Sequence, residues 1–225
     1  MQARPVATVG FLHTADAHVP TYGELLRELA PGADGIHLVD RGLLDDAGDA
    51  RMRLAGRVEE LAARGAAVVL CTSAALGRPA ELLASPMLPV LRVDRPVAEE
   101  AVRLAAGRGG RIGVVAAVEA TFEPIRRLLL AGARAAGVKV QLIELDCTRA
   151  WPLLQAGQRR DYLGAVVEDT RRVAAATDVL VLAQSSMADA EALLADLPVP
   201  VLSSPRPAVR AAARMLAARA GRPPT

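Results

Sequence analysis

Residues 66–75 read AAVVLCTSAA and set a thiol, Cys71, and two hydroxyls, Thr72 and Ser73, directly behind an apolar run. A thiol serves as base or nucleophile near neutral pH when its thiolate is stabilised, as by the dipole and unpaired N–H groups of a helix N-terminus. The spacing predicts that geometry: a strand ending at Cys71, then a helix with Thr72 and Ser73 placed to cap it. The competing reading is that Cys71 is a buried apolar filler, a common fate of cysteine outside disulfides. His13 and Thr14 follow another apolar run, VATVGFL, and belong at the same end of a sheet as Cys71. His13 then either tunes the thiol and titrates near neutrality as a second acid/base, or merely satisfies loop backbone. His37 lies inside a strand pattern and reads as packing, and His18 is weaker still. Asp40, closing HLVD, reads as a site-edge acid or as a helix-start or solvated carboxylate. No Asp/Glu/His motif accompanies these histidines, so no metal is expected.

The elements that position these groups follow from periodicity. PVATVGFL, YGELLRELA, DGIHLVD, RMRLAGRVEELAARG and AAVVLC alternate strand and helix as β-α-β-α-β. After LLASPMLPVLRV the rhythm restarts with a helix at PVAEEAVRLAAG and a strand at RIGVVAA. It continues through FEPIRRLLLAGARAAG, VKVQLIEL, DYLGAVVEDTRRVAAAT and DVLVLAQ. The restart is a duplication of pattern: AAVVLCTSAA matches DVLVLAQSSM, and VATVGFLHT matches GRIGVVAAVEAT, each with a glycine inside its strand. PVPVLSSPRPAVRAAARMLAARA reads as a last strand and a closing helix that returns to the first half, and GRPPT as a tail. The expected halves are 1–93 plus 205–225, carrying Cys71, and 94–204, carrying Gln184, Ser185 and Ser186. In open parallel sheets ligands bind beyond the carboxyl ends of the strands.

Composition narrows the partners. A chain of 225 residues with 52% hydrophobic content suffices for a sizeable core, and 27 basic against 25 acidic residues leave a charge of only +2. The cations are interleaved with acids and aromatics make up 2%, so there is no nucleic-acid footprint. Arg206, Arg210 and Arg214 share one helix face, read as solvated. No run approaches the ~18 apolar residues of a membrane span, and the N-terminus lacks the apolar core of a leader, so a cytoplasmic protein with reduced cysteines is expected.

In order and spacing, GFLHT, VVLCTSAA, GVVAAVEATFEPI and DVLVLAQSSMADA resemble the aspartate/glutamate racemase superfamily, which includes hydantoin racemases, maleate isomerases and arylmalonate decarboxylases. The resemblance covers almost the whole chain. It implies an α/β fold of two flavodoxin-like, doubly wound parallel-sheet halves related by pseudo-twofold symmetry, each a three-layer α/β/α sandwich, with no pyridoxal phosphate or other cofactor. It also implies one proton-carrying cysteine per half and a small carboxylate substrate held by hydroxyls and backbone N–H groups. The first cysteine carries over onto Cys71. The second does not: ungapped, Gln184 takes its place in Ala183-Gln184-Ser185-Ser186, and an amide does not titrate near neutrality.

Two-cysteine racemisation is therefore not expected. What remains is an isomerase or decarboxylase using Cys71 as a lone acid/base or nucleophile with His13 in support, or a catalytically inactive member that binds a small carboxylate. Thr14, Thr72, Ser73, Thr121, Gln184, Ser185 and Ser186 are the expected substrate contacts. Thr121 reads equally as the N-cap of FEPIRRLLL, and Ser185 and Ser186 carry the same double reading. Cys147, in LIELDCT, reads as structural. The partners expected are a small carboxylate and a second copy of the chain, with no nucleic acid and no membrane.

Overall fold

The computed structural model describes residues 7–44 and 49–220; the N-terminal residues 1–6 and the GRPPT tail lie outside them. The chain divides into two compact units, residues 1–93 with 205–225, and residues 94–204.

The first unit runs β1 (Ala7–His13), α1 (His18–Leu29), β2 (Ala33–Val39), α2 (Ala50–Ala63), β3 (Val68–Cys71), α3 (Gly77–Glu81) and β4 (Val90–Arg92). The second runs α4 (Asp94–Ala106), β5 (Arg111–Ala116), α5 (Phe122–Ala136), β6 (Gln141–Asp146), α6 (Trp151–Gln155), α7 (Arg159–Ala174), β7 (Val179–Leu182), α8 (Ala190–Leu193) and β8 (Val201–Ser203). The last helix, α9 (Pro205–Ala220), belongs to the first unit.

Each unit holds one four-stranded parallel sheet, ordered β2-β1-β3-β4 in the first and β6-β5-β7-β8 in the second. The strands read as near-continuous apolar runs because helices cover both faces. On one face of the first sheet, Val9, Phe11, Val68 and Leu70 pack with Tyr22 and Leu26 of α1 and Ala208, Val209 and Ala212 of α9. On the other, Leu12, Val69 and Cys71 pack with Leu54, Val58 and Leu61 of α2 and Ala80 of α3. The second sheet repeats this layering with α4 and α5 on one face and α6, α7 and α8 on the other. Each large apolar side chain so buried contributes about 1.5–3 kcal/mol of transfer free energy.

The glycines inside β1 and β5 admit close neighbours. A Cβ on Gly10 would lie 2.9 Å from the Ala66 Cβ, and one on Gly113 would lie 2.6 Å from Leu180 Cδ2. Gly10 pairs with Val69, and Gly113 with Leu180. These two pairs put the sheets in one common register.

The helix expected directly after Ser73 is a correction. The chain instead makes turns to Leu76, and α3 is only five residues long, with no side chain capping it. Pro79 lacks an N–H and tolerates only a first-turn position, and Gly77 is a poor helix former, so α3 starts late and stays short. Among the described residues no helix is long and apolar enough to cross a membrane.

Candidate functional site

In both sheets the order reverses between the central strands, β1 and β3 in the first unit and β5 and β7 in the second, which makes their carboxyl ends the place where a ligand fits. Counting from the glycine pairs, Cys71 corresponds to Leu182, Thr72 to Ala183 and Ser73 to Gln184; His13 and Thr14 correspond to Ala116 and Ala117. The backbone agrees, since Thr72 N–H donates to Leu12 O at 3.0 Å and Ala183 N–H to Val115 O at 2.9 Å.

Cys71 is 0% exposed and sits in the apolar layer against α2 and α3. Its thiol donates to the Ser73 carbonyl over 3.7 Å. The expectation of a thiolate held at a helix N-terminus is thus corrected: the nearest following helix begins at Gly77, and Thr72 and Ser73 cap nothing. The place corresponding to Gln184 belongs to Ser73, two residues beyond the thiol.

His13 is also fully buried, and strand alternation turns it to the opposite face of the sheet from Cys71, beside Phe11 and Tyr22. Its Nδ1 lies 2.9 Å from Thr72 Oγ1 and its Nε2 lies 2.9 Å from His37 Nδ1. Thr72 donates its hydroxyl proton to Leu12 O at 3.1 Å. One assignment satisfies all three bonds together: His13 Nδ1–H donates to Thr72, and His37 Nδ1–H donates to His13 Nε2. Burial, then the neighbouring His37 and His18, push the His13 pKa down to about 3. The reading of His13 as a group that titrates near neutrality and tunes Cys71 is therefore corrected: it is a neutral imidazole that ties the end of β1 to Thr72 behind β3.

His37, read from sequence as packing, stacks on Phe11 and also bonds His13. Burial lowers its pKa as well. Asp40 is neither a site-edge acid nor a solvated one: its carboxylate is buried between Arg53 and Arg57 of α2, which hold its pKa below the usual carboxylate range. Thr14 is half-buried at the end of β1. Arg92, a cation the sequence reading missed, is buried at the end of β4 beside Cys71; nothing in its residue type marked it for burial.

In the second unit Gln184 is half-buried, and its Oε1 accepts the Ala117 N–H at 2.6 Å. Ser186 Oγ lies 2.8 Å from the Tyr162 hydroxyl, and Ser185 Oγ lies 3.4 Å from Ser204 Oγ. Tyr162 and Ser204 were not legible as neighbours because α7 and β8 bring them in from distant sequence. Thr121 stands at the N-cap position of α5 but makes no capping bond. Its φ of −77° and ψ of −29° already continue the preceding 3-10 turn, so the hydroxyl has no path back to the helix N–H groups. Ser185 and Ser186 likewise form a 3-10 turn and cap no helix. Cys147 follows the edge strand β6 among Tyr162, Val166 and Met187, and burial, then Asp169, push its pKa up to about 12. Arg206 of α9 pairs with Glu28 of α1. Among the described residues no group of three His, Cys, Asp or Glu side chains is placed to hold a metal.

No protein-family model and no curated protein sequence matches the chain. Solved structures do. A glutamate racemase isoform from Bacillus anthracis is similar with a TM-score of 0.69, covering 96% of this chain and 84% of that one at 16% identity. Allantoin racemase from Klebsiella pneumoniae gives 0.68 over 95% and 89% at 17% identity. A point mutant of arylmalonate decarboxylase gives 0.64 over 93% of each chain at 19% identity. Identities this low speak for architecture: the chain has the fold of these racemases and of the decarboxylase, in agreement with the resemblance carried by GFLHT, VVLCTSAA and DVLVLAQSSMADA.

Proposed function

We propose that this protein recognises a small carboxylate at the carboxyl ends of its central strands, without an organic cofactor, and that it does not racemise by a pair of proton-carrying side chains. The observation that carries this reading is the common register of the two sheets. It assigns the corresponding positions behind β3 and β7 to Ser73 and Gln184, whose side chains hydrogen-bond but do not exchange protons near neutrality. Gln184, behind β7, is the contact proposed for the carboxylate.

The second reading is an isomerase or lyase acting at the α-carbon through Cys71 alone. It is favoured by the place of Cys71 at the last position of β3 and by the racemase and decarboxylase structures that share the fold. It requires the thiol to leave its layer against α2 and α3.

Proton NMR in deuterated water, with wild type and Cys71→Ala side by side, separates the two. The compounds are aspartate, glutamate, maleate, substituted malonates and substituted hydantoins. The expected result is saturable binding of a carboxylate by both proteins with no turnover. Deuterium incorporation, isomerisation or decarboxylation that disappears in Cys71→Ala overturns the binding reading in favour of the second.

A further inference from the structure

Gln184 follows β7, and its side chain reaches across the switch point of its own sheet to the end of β5, where Oε1 meets the Ala117 N–H at 2.6 Å. A backbone N–H can only donate, so the amide atom facing Ala117 is the oxygen, and the orientation of the whole group follows. The two Nε2 protons lie on the other arm of the planar amide, and no described residue accepts a hydrogen bond from them. Gln184 is half-buried. The hydroxyls that follow are drawn elsewhere, Ser186 to Tyr162 and Ser185 to Ser204.

Resting on the carboxylate reading above, we infer that Gln184 is a specificity-determining residue: a fixed double donor that reads an acceptor oxygen of the ligand, carboxylate or carbonyl, and rejects any group that must itself donate there. The latch to Ala117 reduces the side-chain entropy lost on binding, because the amide is ordered before the ligand arrives. It also sets the sign of the selection. A ligand placing an N–H or ammonium at this point would leave the Nε2 protons unpaired and desolvated, and is expected to bind at least tenfold more weakly than one that places an acceptor there.

Gln184→Glu keeps the shape and an acceptor for the Ala117 N–H while replacing both donors by an oxygen and adding a negative charge, so the hydantoin, which carries no carboxylate, and the wild-type amide resonances separate lost donation from charge repulsion. The 15N-labelled protein is titrated with aspartate, glutamate, maleate, methylmalonate and a 5-substituted hydantoin, following side-chain amide resonances. The expected result is that at least one compound saturates the wild type, moves the Gln184 side-chain N–H2 pair, and binds Gln184→Glu at least tenfold more weakly at unchanged Tm. Equal affinity in Gln184→Glu, or saturation that leaves the Gln184 amide resonances in place, overturns the donor role and leaves carboxylate binding standing. If no compound binds the wild type, the carboxylate reading and the donor role fall together. Should Gln184→Glu melt early, movement of the wild-type amide pair decides the question alone.

Discussion

Cys71 and Leu182 hold the same place in their two sheets: each is the last residue of its third strand, each is fully buried, and each faces the helix that leads into that strand. The thiol occupies what is in the second unit a leucine position.

A packing role for Cys71 has a measurable consequence. Cys71→Ala removes one buried heavy atom and is expected to destabilise the fold by about 1–2 kcal/mol, while Cys71→Ser, which keeps the heavy-atom count but sets a hydroxyl in the apolar layer, costs at least as much. Urea titration of the two variants checks this. A Cys71→Ser protein that is markedly more stable than Cys71→Ala contradicts the packing assignment.

Acid should weaken the protein through His13. Its ordinary pKa is 6.5 and its folded value is about 3, so between these pH values the unfolded chain binds a proton that the folded chain does not. Stability is full above pH 6.5 and falls as the pH is lowered toward 3, by an amount of order a few kcal/mol. Urea midpoints measured from pH 7.5 down to 4.5 should fall, and the fall should be shallower in His13→Asn. An unchanged slope in that variant would assign the effect elsewhere.

Thr72 is bonded on both sides, to Leu12 O and to His13 Nδ1. Thr72→Val keeps the shape but leaves a buried imidazole N–H without an acceptor, at an expected cost of about 1–3 kcal/mol. Thr72→Ser should recover most of it. Thermal melts of the two variants test the contrast, and 15N chemical shifts of the imidazoles report whether His13 carries its proton on Nδ1.

Asp40 ties β2 to α2 through Arg53 and Arg57. Replacing a buried carboxylate that is held by two guanidinium groups uncouples both, and Asp40→Asn is expected to cost about 2 kcal/mol or more. The low pKa of Asp40 means that its contribution persists above the usual carboxylate pKa and is lost only under strong acid. A denaturation series of Asp40→Asn at pH 7 and pH 5 should show the same deficit at both.

Much of this architecture was legible in the residues. The alternation of apolar runs with amphipathic segments named every strand of the two sheets except the short β4 inside LLASPMLPVLRV, and the glycines in VATVGFL and RIGVVAA marked the duplication. Pairing across the chain was not legible. Nothing local in GIHLVD says that His37 will stack on Phe11 and bond His13, because that contact is made by strand register between β1 and β2.

The sequence by itself determined which groups end the central strands: imidazole and hydroxyl behind the first, thiol and hydroxyls behind the third, amide and hydroxyls behind the seventh. Only the tertiary structure decided which of them is buried in a core layer and which stands half-buried at a strand end. Side chains alternate between faces at every residue of a strand, so a function read from CTS depends on where β3 is clamped against β1. Close packing at Gly10 against Ala66, and at Gly113 against Leu180, sets that clamp in both sheets. It places Cys71 in the core, ties His13 to Thr72, and brings Ser73 and Gln184 to corresponding places.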